Sequence, residues 1–353
     1  MPFNSEFSIK LYEWHSHVER DLPWKASSDP YKIWLSEIIL QQTRVAQGRP
    51  YYLKFVESFP TVFDLANAEL DEVLLLWQGL GYYSRARNMH QTARIVADQY
   101  KGKFPDTYAE ISALKGIGDY TASAILSFAF NKPYPVLDGN VKRVISRYFN
   151  ITEPIDINST LKTLKSLLSE VFDDNHPAEF NQAIIDFGAT QCVPKNPDCN
   201  RCPLRESCLS FATGTVHIIP TKRKKIKKKD RFFHYLFIGL DSIIIKQRAS
   251  GDIWEGLHDF PLIEDENDQI LNKKNIGAFL EETFSTPLNI DNSLDVVLDK
   301  KHVLTHQNLF IKVYRVNLAI PDFNLSPPFM SVPIQKLSQF AFPVVLQDFI
   351  KEN

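Results

Sequence analysis

Residues 114–144 read L-K-G-I-G-D-Y-T-A-S-A-I-L-S-F-A-F-N-K-P-Y-P-V-L-D-G-N-V-K-R-V, two helical patterns joined by a proline-containing turn. The first opens on Gly116 and Gly118. Lacking a Cβ, these let bare amides approach a phosphate oxygen, and the helix N-terminus adds its dipole. A tight helix–helix turn with no ligand would use the same two glycines. Asp138 precedes the second helix, which begins at Gly139. Asp is a normal N-cap there. It is also a short, preorganised carboxylate that can face a developing cation, and the residues alone leave both readings open.

Outward from this stretch, apolar residues from Tyr31 to about Ala212 recur at helical spacing, broken by Pro and Gly. The spacing predicts helices near 5–20, 30–46, 49–58, 61–66, 69–77, 81–100, 107–113, 118–130, 139–149, 158–172 and 177–189, an all-α half. Glu37 sits at the centre of Y-K-I-W-L-S-E-I-I-L-Q-Q-T (31–43), beside Trp34, Leu35, Ile38, Ile39 and Leu40. Such surroundings desolvate a carboxylate and raise its pKa toward neutrality, making an acid that can protonate a leaving group. The plainer reading is a glutamate on the helix's one solvent-facing stripe.

All four cysteines fall between 192 and 208, as Cys192-x6-Cys199-x2-Cys202-x5-Cys208. In a chain without export features disulfides are disfavoured, so the cluster argues for a metal site. Thiolate chemistry leaves four-cysteine zinc and [4Fe–4S] equally open.

The length of 353 residues suggests two domains. With 44% hydrophobic and 23% charged residues, the composition excludes collagen-like, disordered and disulfide-scaffold classes. No apolar run reaches the roughly 18 residues of a membrane span. The N-terminus lacks the basic and apolar regions of an export signal, so the expectation is a cytoplasmic, nucleoid-associated protein with no membrane partner. Net charge is −2, but residues 1–231 carry 30 basic and 26 acidic side chains against 10 and 16 in 232–353. Within 222–231 eight are basic and one acidic. Any nucleic-acid surface on the first half is therefore a local patch or is built from backbone donors.

The basic run T-K-R-K-K-I-K-K-K-D-R (221–231) reads as a linker, either a solvated spacer or a phosphate-tracking arm. After it come short β-branched and aromatic runs, F-F-H-Y-L-F-I-G-L, S-I-I-I-K-Q-R and L-F-I-K-V-Y-R-V, which read as an α+β domain. The expected division is a helical domain over 1–215, a linker over 216–231 and a second domain over 232–353.

Taken together, the glycine turn, Asp138 and the cysteine spacing resemble the helix-hairpin-helix family of base-excision DNA glycosylases. Within it the chain is similar to the adenine DNA glycosylase branch of the MutY type, through L-P-W (22–24), W-L-S-E-I-I-L-Q-Q-T (34–43), G-L-G-Y-Y-S-R-A-R-N (79–88), V-L-D-G-N-V-K-R-V (136–144) and F-N-Q-A-I-I-D-F-G-A (180–189). The resemblance implies a [4Fe–4S] cluster on Cys192, Cys199, Cys202 and Cys208. It implies excision of adenine mispaired with 8-oxoguanine or guanine in double-stranded DNA, by a protein acting as a monomer. Glu37 would protonate the base and Asp138 would stabilise the sugar cation, with Tyr120 and Asn140 orienting Asp138 and the water. Leu22, Trp24 and Gln182 would line the adenine pocket, and Gln41, Gln42 and Tyr82 would fill the gap left in the duplex. Gly116 and Gly118 would supply hairpin amides, with Lys142 and Arg143 as cationic contacts. Where the lyase relatives of the endonuclease III type carry a lysine this chain has Tyr120, so no Schiff-base nucleophile is evident and a monofunctional enzyme is implied. The hairpin departs from the family pattern at Lys115 and Asp119. The second domain resembles the Nudix-like domain of the same enzymes, without a complete Nudix glutamate box. Leu304-Thr305-His306 stands where the family has a Phe-Ser-His turn that contacts 8-oxoguanine; a plain hairpin between strands is the alternative reading. Two further functions compete: a lyase-type glycosylase for oxidised pyrimidines, and a non-catalytic metal-dependent DNA-binding protein, which would leave Glu37 and Asp138 without a task.

Overall fold

The computed structural model describes residues 4–25, 27–223, 228–284, 294–316 and 325–352; linker residues 224–227 lie outside the described residues. The chain forms two compact units, residues 1–67 with 88–224 and residues 68–87 with 225–353.

The first half is helical: α1 (Asn4–His15), α2 (Pro30–Leu40), α3 (Val45–Ser58), α4 (Val62–Asn67), α5 (Leu70–Trp77), α6 (Ser84–Gln99), α7 (Tyr108–Ala113), α8 (Asp119–Phe130), α9 (Gly139–Tyr148), α10 (Asn158–Val171), α11 (Pro177–Thr190) and the short α12 (Leu209–Ala212). Most ends fall within a few residues of those that spacing predicts, but α1 stops at His15 and the 30–46 run stops at Leu40. At the second of these, Gln42 takes φ +55°, the left-handed region that no residue inside an α-helix occupies. The break frees Gln41, whose Nε2 donates to Thr121 Oγ1 at 3.0 Å.

In the first unit α2 packs on α8, and α9 on α11. Ala124, Val141, Val144, Ile145, Ala183, Ile184 and Phe187 are buried in one cluster, with Cys192, Cys202 and Cys208 against its margin. Burying each larger apolar side chain contributes about 1.5–3 kcal/mol. Gly188 sets how closely α9 and α11 approach, because a Cβ there would stand 2.7 Å from Asn140 Cβ and 2.9 Å from its carbonyl oxygen.

The second unit is α+β. Its four-stranded sheet runs β4 (Leu262–Asp265), β1 (Lys229–Ile238), β6 (Gln307–Val316), β5 (Asp295–Val303), with β1 and β6 parallel and the outer pairs antiparallel. A three-stranded antiparallel sheet runs β3 (His258–Asp259), β2 (Ser242–Gln247), β7 (Phe329–Pro333). Phe233, Tyr235 and Phe237 share one core with Val345, Leu346 and Phe349 of α14 (Val344–Glu352). Leu236 and Ile238 share another with Ile276 and Leu280 of α13 (Lys273–Phe284). Burial on both faces is why β1 lacks polar alternation. Residues 68–87 belong to this unit: Gln78 Nε2 donates to Phe342 O at 3.1 Å, and Arg87 pairs with Glu255 at 3.1 Å.

Candidate active site

A cleft of about 1100 Å³ opens in the first unit, at the upper end of small-molecule pocket sizes. Twelve of the residues singled out in the sequence line it: Leu22, Trp24, Glu37, Gln41, Gln42, Gly116, Gly118, Tyr120, Asp138, Asn140, Lys142 and Gln182. They come from α2 and the two residues that follow it, the 22–24 loop, the 116–120 hairpin, the start of α9 and α11.

Glu37 faces the cleft from the middle of α2, where Trp34, Leu35, Ile38 and Ile39 are buried around it. Burial pushes its carboxyl up to about 7; a hydrogen bond from the Tyr120 hydroxyl opposes this and the charge of Asp138 adds to it. Asp138 caps α9, accepting from Val141 N at 2.7 Å and from Asn140 Nδ2 at 2.9 Å. The capping reading and the facing-carboxylate reading therefore describe the same side chain. Burial raises its pKa as well, opposed by those hydrogen bonds and by Arg143. Asp138 is the better solvated of the two by fixed donors, so it takes the negative charge and Glu37 keeps its proton. One desolvated acid and one hydrogen-bonded carboxylate in a shared cleft is the division of labour that hydrolysis of a glycosidic bond requires. The Tyr120 phenol is held neutral, its pKa driven up by burial and by both carboxylates.

The glycine turn has one position that demands glycine. Gly116 adopts φ +76°, and a Cβ there would meet Asn88 Cβ at 2.8 Å, so glycine is required twice over.

Arg143 is placed elsewhere than the resemblance implies. Only 8% exposed, it donates to Cys192 O at 2.7 Å, Asn140 Oδ1 at 3.0 Å and Gly188 O. The guanidinium is spent inside the fold, between the Asp138 cap and the cysteine loop, and offers no phosphate contact. Tyr82 and the 304–306 turn lie in the second unit. Thr305 and His306 are exposed at the tip joining β5 to β6, closed by Leu304 N donating to Gln307 O at 2.8 Å. The Tyr82 hydroxyl, with Tyr82 at φ +48°, hydrogen-bonds Thr305 Oγ1.

Sequence reading missed a charged group on the cleft wall. Asp186 of α11, fully buried, accepts from His15 Nε2 at 3.0 Å, Arg20 Nη1 at 2.5 Å and Lys25 Nζ at 2.5 Å, and these three partners line the cleft. Burial pushes the Asp186 carboxyl up, but His15, Lys25 and Arg20 overcome it and hold it at about 2. The folded pKa lies below the unfolded value of about 3.9, so the stabilisation is full above that value and is lost as pH falls through 2. We expect Asp186→Asn to lower stability by ~2 kcal/mol at pH 7 and to flatten the acid limb of the unfolding curve between about pH 4 and 2; an unchanged acid limb would contradict this.

All four cysteines line one cavity of about 30 Å³ between α9, the end of α11 and α12. Burial, then the neighbouring sulfurs, push the Cys202 thiol up to about 12, which marks the four as mutual neighbours. Among the described residues no three His, Cys, Asp or Glu side chains converge as a single-ion site. Arg147, 2% exposed, donates to the carbonyls of Ile219, Val193 and Pro194 and to Cys192 Sγ at 3.4 Å. No carboxylate pairs with it among the described residues. A buried cation without an acid partner is costly. An anionic four-thiolate cluster in the adjoining cavity would supply the missing charge, so the residues present fit such a group.

Residues 35–170 match the model of the HhH-GPD superfamily base excision DNA repair proteins, and residues 234–352 match the NUDIX domain. An adenine DNA glycosylase of Buchnera aphidicola is 40% identical over 308 residues, covering 86% of this chain and 84% of that one. The adenine DNA glycosylase of Homo sapiens is 41% identical over 213 residues, 57% of this chain and 39% of that one. Among solved structures, a thermostable thymine-DNA glycosylase superposes with TM-score 0.55 at 28% identity, covering 60% of this chain and 97% of its own.

Proposed function

We propose, from the premise that the chain belongs to the adenine DNA glycosylase family, that its cleft receives an adenine extruded from duplex DNA opposite 8-oxoguanine or guanine and hydrolyses its N-glycosidic bond. The chain is a hydrolase of N-glycosyl bonds. The observation that carries the reading is the pairing of Glu37, with a carboxyl near 7, and Asp138, capped by Val141 and Asn140, in one cleft.

A base inside the helix is out of reach, and a mispaired adenine costs less to extrude than a matched one. Leu22, Trp24 and Gln182 would hold the extruded base, Trp24 being braced edge-on by Tyr52 at 5.4 Å. Adenine leaves poorly as an anion, so Glu37 donates its proton to N7 as the bond lengthens. The sugar becomes cationic and Asp138 offsets that charge; a water then adds to C1′ and gives its proton to the Glu37 carboxylate, which restores the acid. Asn140 holds Asp138 in place, and Tyr120, bound to the Glu37 carboxyl, keeps the acid aimed at the base. With a phenol at 120 no amine is available there for a Schiff base. The product is an abasic site in an uncut strand.

Cys192, Cys199, Cys202 and Cys208 would hold a [4Fe–4S] cluster, whose part is to fix the 192–216 loop against α9. In the second unit Thr305, whose hydroxyl is bonded to Tyr82, and His306 lie on an exposed turn, where the resemblance places the contact to the opposite base.

The test is incubation of end-labelled duplexes containing A:8-oxoguanine, A:G, A:C and thymine glycol:A, with breaks scored before and after hot alkali. Breaks at adenine only after alkali are expected; breaks at thymine glycol without alkali would assign the lyase branch instead. A companion variant, Tyr120→Lys, is expected to gain an enzyme–DNA adduct trapped by borohydride, and its absence would count against position 120 as the monofunctional determinant.

A further inference from the structure

Asp138 stands at the end of a segment, residues 131–138, that belongs to no helix or strand, between Phe130 at the close of α8 and Gly139 at the start of α9. Its cap bonds fix the carboxylate relative to α9. They do not fix it relative to Glu37 and Tyr120, which reach the same cleft from α2 and α8. The segment has little backbone bonding of its own: Pro133 and Pro135 supply no N–H, and Tyr134 N turns back to Lys132 O at 2.8 Å.

The segment is held from outside by Asn181, a fully buried residue of α11. Asn181 Oδ1 accepts from Val136 N at 3.0 Å, and Asn181 Nδ2 donates to Tyr134 O at 2.9 Å. One amide thus meets the carbonyl of one residue and the N–H of the residue two further on, as an adjacent strand would. The second Nδ2 proton goes to Ser127 Oγ of α8 at 2.8 Å. Both donors and the acceptor of the side chain are used; an aspartate could supply only the acceptor and a leucine neither. Val136, fully buried, lies two residues before Asp138, and Leu137 between them lines the cleft. Gln182, next along α11 from Asn181, lines it too.

We propose that Asn181 is the positioning residue for the Asp138 carboxylate: it ties the segment that carries Asp138 to α11 and to α8, the helix of Tyr120, and so sets the carboxylate opposite Glu37 and the bound sugar. The inference rests on the reading of Asp138 given above. Asn181 itself touches no substrate. It acts because a carboxylate that must meet a developing cation loses on the order of 10²-fold in rate when misplaced by about 1 Å.

The experiment is single-turnover excision from an A:8-oxoguanine duplex by the full chain, with enzyme in excess, alongside equilibrium binding to the same duplex. Asn181→Ala is expected to lower the rate constant by about 10²-fold while affinity stays near normal. Lost stability alone would lower Tm and the reacting amplitude but not that rate constant. Ser127→Ala keeps both bonds to the segment and is expected to leave the rate constant near that of the unsubstituted enzyme. The decisive comparison is Asn181→Ala in the Asp138→Asn background. A residue that acts through Asp138 has little left to contribute there, so most of its effect should vanish. Persistence of the full effect overturns the proposal, as does an unchanged rate constant in Asn181→Ala alone or an equal loss in Ser127→Ala. If circular dichroism shows Asn181→Ala to be misfolded, Asn181→Ser takes its place in the same comparisons. Near-normal excision by Asp138→Asn alone would instead sink the reading of Asp138, and this inference with it.

Discussion

Glu37→Gln is expected to hold an A:8-oxoguanine duplex with near-normal affinity while losing excision by about 10²–10⁴-fold, the range that a positioned general acid contributes. The substitution keeps the shape and the hydrogen bond to Tyr120, and removes only the proton that can be given away. Asp138→Asn is expected to be as severe for the opposite reason. The amide can still cap α9 through its oxygen, but it no longer offsets positive charge on the sugar. It also removes the negative neighbour that helps keep Glu37 protonated. Single-turnover excision and binding measured together separate these outcomes from misfolding. Turnover within a few-fold of the unsubstituted enzyme would strip the tested residue of its role.

The second large effect is on stability. Arg147→Ala would leave the carbonyls of Ile219, Val193 and Pro194 short of a donor and remove the buried cation beside Cys192. Removing one member of a buried polar network costs roughly 3–5 kcal/mol, here a fall in Tm on the order of 10 °C. Iron per chain should fall in parallel, because the loop that carries the sulfurs hangs on these bonds. Arg147→Lys should recover only part of the loss, since one ammonium cannot span the same acceptors. A variant with full iron content and an unshifted Tm would show that Arg147 is not the counter-charge of the thiolate cavity.

The sequence was legible where the chemistry is local. Helical spacing placed α2, α8, α9 and α11, because each buries a broad apolar face. The cysteine spacing put four sulfurs around one cavity, and the Asp138-Gly139-Asn140 junction announced both a cap and a carboxylate. Glu37 was readable from its apolar neighbours. What escaped is non-local. Asp186 gathers His15, Arg20 and Lys25 from 171, 166 and 161 residues away, and no pattern in either segment signals the meeting. Asp119 and Lys165 likewise meet across 46 residues of sequence, a contact that no local pattern announces. Arg143 reads as one more exposed cation in K-R-V until Gly188 brings α11 close enough to bury it. The grouping of residues 68–87 with the second unit has no sequence mark, because α5 has the same amphipathic pattern whichever unit it covers. The end of α2 at Leu40 is set by Gln41, which leaves the helix at ψ 116°, and by a left-handed Gln42, conformations that the residue types do not announce.

The most direct test of the central claim, a protonated Glu37 working beside an ionised Asp138, is the pH profile of single-turnover adenine excision at saturating enzyme. The acid must carry its proton, so the rate should fall about tenfold per unit as pH rises above the Glu37 value near 7. It should fall on the acid side as Asp138 takes up its proton, and Glu37→Gln should abolish the alkaline limb. A rate that holds constant from pH 7 to 9 would contradict the assignment of Glu37 as the acid.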